Sequence, residues 1–504
     1  MVKRSLFLLA AAFALCAGTA SAQTTLRIGL AEDPDILDPT LARTFVGRIV
    51  FSALCDKLFD IDEKLNIVPQ LATGFEWAGD HKSVLIKIRD GVTFHDGEKM
   101  DAAAVKFSLE RHKNMQGSNR RGELAPVQSV DVVDPQTVKL NLAAPFAPLL
   151  AQLADRAGMI VSPKAAQAAG DKFGTHPVCA GPYKFVERVA QDRIVVEKFA
   201  NYWDKGRIHI DKVVYTPIVD ATVRLANMKS GQLDFIERMA ASDVPGLKSD
   251  NRFKLSKIVE IGYQGITINT GKSDLAQKNP LGKDPKVREA FELSLDRDAI
   301  VQVVMEGEGQ PGNQWVAPSS SYYAKNAPIP KRDVAKAKAL LKEAGVTNPS
   351  FTLMTPTTSD AQKIAQVVQA MAQEAGFDVK IQSTEFSTSL DLADKGQFEA
   401  YVLAWSGRAD PDGNLFSFYG TKQPLNYSGY SREDVDELLK QSRMELDTAK
   451  RQAIFDKIAA ITVKQDRPIV YLYHRNWLWA YTTKLTGLRT IPDGLVRLQD
   501  LKMN

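Results

Sequence analysis

The chain has 504 residues, of which 44% are hydrophobic and 25% are charged. This length predicts more than one domain, and the composition is ordinary for a globular protein. The formal net charge of +4 favours neither nucleic-acid binding nor adsorption to a membrane surface. Beyond the N-terminal region, no apolar run approaches the roughly 20 residues that a membrane-spanning helix needs.

The first 22 residues have the pattern of a secretory signal peptide. Lys3 and Arg4 precede an apolar run over residues 6–17, and Ala20-Ser21-Ala22 supplies an A-x-A cleavage site. Removing Lys3 and Arg4 from the 64 basic residues leaves 62 against 60 acidic ones, a net charge near +2. The mature chain is therefore expected to be exported and close to electrically neutral.

Three cysteines bear on export and on redox state. Leu15 stands directly before Cys16, where a lipid-modified cysteine requires a small residue, so release without a lipid anchor is favoured. Cys55 and Cys179 remain after cleavage, in an oxidising compartment that permits a disulfide between them. Two separate buried thiols are the alternative, and two isolated cysteines indicate neither a metal site nor a redox site.

A β-hairpin followed by a helix is predicted early in the mature chain. Apolar and basic residues alternate over residues 84–89, the period of a strand with one buried face. Asp90-Gly91 is a hairpin signal and residues 92–94 form the predicted return strand. Asp101 is the predicted N-cap of a helix that reaches residue 111.

The remaining elements change in character along the chain. Hairpins are predicted over residues 129–142 and 183–199. Beyond residue 269, helices alternate with short apolar strands, which predicts a mostly parallel sheet with right-handed crossovers. The helices of this second part begin near Pro285, Asp333 and Ser359, and its strands cover residues 351–354, 377–381, 400–405 and 469–473.

Short motifs at several of these places match one known signature. They are Leu37-Asp38-Pro39, Pro69-Gln70-Leu71-Ala72, Glu76-Trp77, Arg89-Asp90-Gly91-Val92, Phe94-His95-Asp96-Gly97, Val105-Lys106-Phe107-Ser108, Gly181-Pro182-Tyr183 and Asn426 to Ser431 followed by Val435-Asp436. In these motifs the chain resembles the family 5 bacterial extracellular solute-binding proteins, the peptide and nickel receptors of ABC importers.

The resemblance implies an α/β fold with two lobes, the type II periplasmic-binding-protein fold in its large three-subdomain form, with the ligand cleft between the lobes. Residues 23–268 are then expected to form lobe 1, with a β-rich subdomain at about 58–170. Residues 269–479 are expected to form lobe 2, and residues 480–504 to return to lobe 1. The lobes would close on the ligand by bending at crossovers near Asn269 and Trp479.

The resemblance also implies a function. The chain is expected to be the periplasmic substrate-binding component of an ABC transporter, a monomer that captures peptides and delivers them to an inner-membrane permease with cytoplasmic ATPase subunits. No cofactor, metal or catalytic residue is implied. Two alternatives stay open: the same receptor class for a non-peptide anionic solute, such as an opine-like conjugate or a metal chelate, and a periplasmic binder without a transport role.

The loop over residues 405–415 is the predicted ligand-binding segment. It begins at the carboxyl end of a predicted parallel strand, where open α/β sheets bind ligands, although a surface loop whose aspartates only cap turns is the alternative. In peptide-binding relatives, an aspartate shortly after the matching tryptophan holds the peptide amino group; here Arg408 is nearest that place and would prefer a carboxylate. A one-residue shift would give the amine to Asp410. The candidates in this loop are Trp405, Ser406, Gly407, Arg408 and Asp410.

Four further residues are candidate ligand contacts. Gly181 and Tyr183 belong to the family's G-T-G-P-[YF] loop beside the cleft, although Cys179 and Ala180 replace its first two residues. Tyr430 could line the cleft or anchor a helix, and Trp315 is a stacking candidate in the second lobe.

Enzyme motifs are weak in this chain. Residues 307–312 spell G-x-G-x-x-G, but this stretch follows a helix and carries Pro311 where a helix should begin, which argues against a dinucleotide site. The sequence has no G-x-S-x-G, Walker A or H-E-x-x-H motif. Its six histidines are scattered, so we predict a binding protein rather than an enzyme, an undetected hydrolase being the alternative.

Overall fold

The computed structural model describes residues 23–271 and 273–504. The predicted signal peptide, residues 1–22, lies outside the described residues. None of the helices within the two described ranges combines the length and apolar character needed to cross a membrane.

The described residues form twenty strands. They are β1 (Thr25–Leu30), β2 (Phe59–Ile61), β3 (Ile67–Pro69), β4 (Ala72–Trp77), β5 (Ser83–Ile88), β6 (Val127–Asp134), β7 (Thr137–Leu142), β8 (Tyr183–Val189), β9 (Arg193–Lys198), β10 (Lys212–Pro217), β11 (Phe235–Ile236), β12 (Phe253–Val259), β13 (Tyr263–Ile268), β14 (Gly309–Pro311), β15 (Ser350–Pro356), β16 (Asp378–Thr384), β17 (Ala400–Trp405), β18 (Ile469–Thr482), β19 (Leu485–Thr486) and β20 (Lys502–Met503).

The same residues form seventeen α-helices. They are α1 (Phe45–Leu54), α2 (Ala102–Asn114), α3 (Arg121–Leu124), α4 (Leu149–Leu153), α5 (Pro163–Ala169), α6 (Ala221–Lys229), α7 (Val244–Lys248), α8 (Asp274–Lys278), α9 (Pro280–Lys283), α10 (Pro285–Ser294), α11 (Arg297–Met305), α12 (Val334–Glu343), α13 (Ser359–Glu374), α14 (Phe386–Asp394), α15 (Asp412–Tyr419), α16 (Glu433–Met444) and α17 (Thr448–Ile461). Many begin at a capping side chain: Asp101 accepts from the backbone N–H of Ala104 at 3.0 Å, as its position predicted.

One large sheet links two groups of strands, which define the lobes. We call the part built on β1 and β8–β12 the first lobe and the part built on β13–β17 the second lobe. β18 belongs to both, because its start pairs with β13 and its end pairs with β12. In the second lobe β15 runs parallel to β16 and β17, as the alternation of helices and strands predicted, while β13 is antiparallel to β17.

The chain passes between the lobes earlier than the expected boundaries of 268/269 and 479/480. β13, which the expected boundary placed in lobe 1, pairs with β17 in the second lobe. The outward crossover is therefore residues 260–262, between β12 and β13. The return crossover lies within β18, where pairing changes from β13 at Tyr473 to β12 at Asn476. The two crossovers are neighbours, since the backbone N–H of Glu260 donates to the Arg475 carbonyl at 3.0 Å.

A four-stranded sheet, in the order β4-β5-β7-β6, lies within the expected β-rich stretch 58–170. The hairpin predicted at residues 129–142 is confirmed by the antiparallel pairing of β6 with β7. The predicted return strand at 92–94 is wrong: both edges of β5 are already occupied, by β4 and by β7. Thr93 makes only an isolated bridge with Lys99.

Each lobe has its own apolar core. The first-lobe core combines α1 with β1, β9 and β10, and it also contains Leu485, Leu495, Val496, Leu498 and Leu501 from the C-terminal segment. The four-stranded sheet has a separate core with α2. The second lobe packs α10, α11 and α13 against its sheet. The C-terminal segment therefore packs with the first lobe, as expected.

Candidate functional site

A cavity lies between the lobes, directly at the two crossovers. Its empty volume is about 960 Å³, part of which is open to solvent. Both lobes and both crossovers contribute polar and aromatic groups to its walls: Glu32, Arg43, Phe45, Arg224 and Arg238; Asp360, Trp405 and Ser406; and Glu260, Gln264, Arg475 and Trp477.

Aromatic rings form the apolar part of these walls. Phe45 is the first residue of α1, which Thr44 caps by accepting a backbone N–H at 3.3 Å. The Phe45 ring stacks on Trp477 with ring centroids 4.5 Å apart and planes 12° from parallel. Trp405 is fixed by its indole N–H, which donates to Asn414 at 2.9 Å. These rings offer fixed surfaces for stacking and for burying apolar ligand groups.

The first-lobe wall carries arginines that are already bound. Arg238 pairs with Glu32 at 2.5 Å and with Glu237 at 2.8 Å, and despite burial these carboxylates hold its pKa above the ordinary value. Arg224 donates to the carbonyls of Ile218 at 2.5 Å and Arg238 at 2.9 Å. Burial lowers the pKa of Arg224, and its buried Nε has no partner among the described residues.

The crossovers place a second charged group opposite this wall. Glu260 accepts from the backbone N–H of Arg475 at 2.9 Å and from Gln264 at 3.0 Å. Burial raises the pKa of Glu260, although Arg475 opposes the shift. The Nη2 of Arg475 donates to Gln264 at 2.6 Å, while its Nη1 lies 4.0 Å from Asp360.

Asp360 is the most available carboxylate on the cavity wall. It lies in the first turn of α13, whose N-cap, Thr358, makes no side-chain capping bond. The helix begins at Ser359, near where the sequence predicted its start. The Asp360 side chain is 31% exposed, and within the described ranges its carboxylate accepts no hydrogen bond. The Asp360 carboxylate and the Nη1 of Arg475 approach each other only to 4.0 Å, so each can also bind an opposite charge on a ligand.

Two predicted residues of the 405–415 loop, Trp405 and Ser406, line the cavity. Glycines hold this loop against the outward crossover. Gly407 has a φ of +79°, and a Cβ there would lie 2.2 Å from the Ile261 carbonyl oxygen. A Cβ on Gly262 would lie 1.8 Å from the Trp405 carbonyl oxygen, so only glycine fits at either place.

Arg408, in contrast, does not line the cavity. Its side chain is 5% exposed and its Nε pairs with Asp155 of the first lobe. Its guanidinium lies 4.3 Å from the Trp405 ring centroid, and its Nη1 donates to the Gly407 carbonyl at 2.8 Å. Burial lowers the pKa of Arg408 to about 9 while Asp155 opposes the shift. The sequence led us to expect a ligand carboxylate at Arg408, whereas the structure places the carboxylate of Asp155 there.

Three other candidates make internal contacts. Asp410 accepts two hydrogen bonds from Arg451, both at 2.7 Å, so its carboxylate is not free for an amine. The Tyr430 hydroxyl donates to Asp466 at 2.6 Å. Trp315 is fully buried in an apolar cluster. None of the three is among the cavity-lining residues.

Gly181 and Tyr183 also lie away from the cavity, next to Cys55 and Cys179. A Cβ on Gly181 would lie 2.4 Å from the backbone carbon of Leu54, and the buried Tyr183 hydroxyl donates to the Ile210 carbonyl at 2.9 Å. Cys55 and Cys179 form a disulfide with Cα atoms 4.9 Å apart, which is the first of the two alternatives that the sequence left open.

The four charged residues Glu32, Glu260, Asp360 and Arg475 are absent from the candidates that the sequence supplied. For Arg475 the sequence did hold a signal, because it is a charged residue within the apolar run of β18. Glu260 follows directly after β12. Within residues 23–271 and 273–504, no group of three or more His, Cys, Asp or Glu side chains is arranged to hold a metal ion.

Comparison with known families identifies the class of this protein. The model of the family described as "Bacterial extracellular solute-binding proteins, family 5 Middle" matches residues 66–426, well over half of the chain. The chain belongs to this family. It is therefore a solute-binding protein of the kind that serves ABC importers.

Known relatives extend over nearly all of this family 5 protein. The glutathione-binding protein GsiB of Pectobacterium atrosepticum is 29% identical over 477 residues, 92% of this chain and 91% of the relative. The periplasmic binding protein AgaA of A. tumefaciens R10, solved with agropinic acid, is 27% identical with a TM-score of 0.86 over 95% of this chain and 99% of its own. AppA of Bacillus subtilis, an oligopeptide-binding protein solved with a nonapeptide, is 25% identical with a TM-score of 0.85 over 96% and 99%. The predicted two-lobed, type II periplasmic-binding-protein fold is confirmed.

Proposed function

We propose that this protein captures peptides in the cavity between its lobes and delivers them to an inner-membrane ABC permease with cytoplasmic ATPase subunits. The observation that carries the proposal is the pair formed by Asp360 and the Nη1 of Arg475, 4.0 Å apart on one wall. A peptide has an ammonium group at one end and a carboxylate at the other. One wall thus offers a partner for each charge.

The rest of the cavity supports the same cargo. Trp405, Phe45 and Trp477 supply apolar surface for peptide side chains. The names of two relatives agree with this cargo, since GsiB is a glutathione-binding protein and AppA was solved with a nonapeptide. Of the nine ligand contacts predicted from the sequence, the proposal keeps Trp405 and Ser406.

The proposal includes export and a monomeric state. A signal peptide over residues 1–22 would release the mature chain into the periplasm without a lipid anchor, and closure of the lobes around a peptide would present the surface that the permease recognises. The protein would bind its cargo without chemically changing it.

A non-peptide anionic solute is the second candidate, favoured by the likeness to AgaA, which was solved with agropinic acid. In the sequence, the residue that favoured such a solute was Arg408, but its guanidinium pairs with Asp155 rather than facing the cavity. The peptide proposal therefore has the better support from the site itself.

Titration calorimetry tests the peptide proposal. Glutathione, the dipeptide Met-Leu and a nonapeptide are titrated into the wild-type protein, and we expect at least one to bind. Asp360→Asn should weaken that binding about 10-fold or more, because it removes a charge that faces the ligand ammonium. Asp274→Asn is the matched control, since the Asp274 side chain is 95% exposed and lies outside the cavity lining. Failure of all three peptides to bind the wild-type protein would refute the proposal.

A further inference from the structure

Four arginines meet in the interior where the two lobes touch, behind Trp405. We call them the arginine cluster: Arg48, Arg120, Arg156 and Arg408, whose exposed fractions are 4%, 1%, 1% and 6%. The first three belong to the first lobe and Arg408 belongs to the second. Only two carboxylates, those of Asp155 and Glu123, are in ion-pair contact with the four guanidinium groups among the described residues.

Asp155 is shared by three members of the cluster. It pairs with the Nε of Arg408, with Nη2 of Arg48 at 2.9 Å and with Nε of Arg156 at 4.0 Å. Glu123 pairs only with Arg120. Two negative charges therefore face four positive charges, and the cluster has an excess of two positive charges in the protein interior.

Two of these guanidinium groups converge on one acceptor. Nη1 of Arg156 and Nη2 of Arg120 both donate to the Ala42 carbonyl oxygen, at 2.7 and 3.3 Å. Like charges this close repel each other when they are shielded from water. In agreement, burial and then the charge of Arg120 lower the pKa of Arg156 well below its ordinary value.

The cluster also has hydrogen-bond donors without acceptors. The Nε atoms of Arg120 and Arg156 and the Nη2 of Arg408 are buried and donate no hydrogen bond to any of the described residues. The neighbouring carboxylates of Asp410 and Asp412 are in ion pairs with Arg451 and Arg443, while Oε2 of Glu123 and Oδ1 of Asp412 accept no hydrogen bond among the described residues. Unpaired buried charges and unsatisfied donors are both strongly unfavourable, so the cluster lacks an anion.

A small cavity adjoins Arg408 and is also lined by Glu123, Gln152, Asp412 and Arg443. We propose that the arginine cluster binds one small monovalent anion, a halide such as chloride. Since the site takes arginines from both lobes, the anion would bridge them. Anion binding and peptide binding would then strengthen each other by the same factor.

Bromide, a heavier stand-in for chloride, tests the proposal without any variant. Wild-type crystals grown without peptide and soaked in sodium bromide should show an anomalous peak within hydrogen-bond distance of Arg408 or Arg156. A glutathione carboxylate at the cluster in crystals of the peptide complex, with no bromide peak there, would overturn the proposal. Bromide found only on exposed arginines is an adventitious ion only and also overturns it.

Chloride-35 NMR gives the matching result in solution. Wild-type protein should broaden the chloride line, and so should Arg252→Gln, whose side chain is 64% exposed. The line should be narrower with Arg408→Gln than with wild-type protein. Replacing sodium gluconate by sodium chloride at constant ionic strength should lower the peptide Kd about 5-fold, the lower end of common couplings. Equal line widths in all three proteins would contradict the site.

Discussion

The Cys55–Cys179 disulfide ties the end of α1 to the loop before β8. Both cysteines lie in the first-lobe core, with exposed fractions of 1% and 0%. α1 begins at Phe45, which stacks on Trp477 in the cavity wall. The bond therefore stabilises the element that presents part of the ligand site. We predict that removing it lowers the free energy of unfolding without removing peptide binding.

The size of this effect follows from the length of chain that the bond closes. The two cysteines are 124 residues apart in the sequence. In the chain-entropy account, closing a loop of that length reduces the entropy of the unfolded chain by an amount worth about 5 kcal/mol at 25 °C. Residual structure in the unfolded chain reduces this figure, so about 5 kcal/mol is an upper value.

The variant for the assay is Cys55→Ala combined with Cys179→Ala, because alanine avoids burying hydroxyl groups in an apolar core. Guanidinium unfolding followed by circular dichroism should show a lower midpoint than oxidised wild type, and reduced wild type should resemble the variant. Labelling of unfolded, unreduced mature protein should find no free thiol. Two labels per chain, or equal midpoints for oxidised wild type and the variant, would refute the reasoning.

Three further predictions concern the cavity and its surroundings. Trp405→Ala should weaken peptide binding by about 2 kcal/mol in calorimetry while Trp405→Phe retains most of the affinity, and equal losses would show that ring stacking is not its role. Burial lowers the pKa of His112 from 6.5 to about 4, so the unfolded chain takes up its proton first as the pH falls. The stability that the neutral His112 side chain contributes is complete above pH 6.5 and is lost as the pH falls toward 4. Over this range the free energy of unfolding should fall less for His112→Gln than for the exposed control His209→Gln, and identical losses would contradict the assignment. Arg43 pairs across the cleft with two carboxylates of α14, so Arg43→Gln should shift small-angle scattering of the peptide-bound protein toward an open form, and an unchanged curve would contradict a bridging role.

Local sequence patterns predicted many of the elements well. Asp101 caps α2, and the hairpin made of β6 and β7 follows its alternating pattern. The strand predicted at residues 92–94 failed because β5 finds its partners, β4 and β7, elsewhere in the chain. A turn signal such as Asp90-Gly91 specifies a local bend but not which strands become neighbours.

The ligand site was less predictable, because its contacts join residues far apart in the sequence. Trp405 and Ser406 line the cavity, and their place directly after a parallel strand, where such sheets bind ligands, was the signal in the sequence. Arg408 has the charge expected of a ligand contact, yet its partner is Asp155, which lies 253 residues earlier. Arg475 and Asp360 come together only after the chain has crossed between the lobes twice.

The most direct test of peptide capture is native mass spectrometry of the protein purified from the cells that produce it, with the bound molecule released and fragmented. A peptide in a one-to-one complex, lost on Asp360→Asn and retained on Asp274→Asn, is the predicted result. A non-peptide anion in the complex, or a peptide that both variants retain equally, would contradict the peptide assignment or its placement at the wall formed by Asp360 and Arg475.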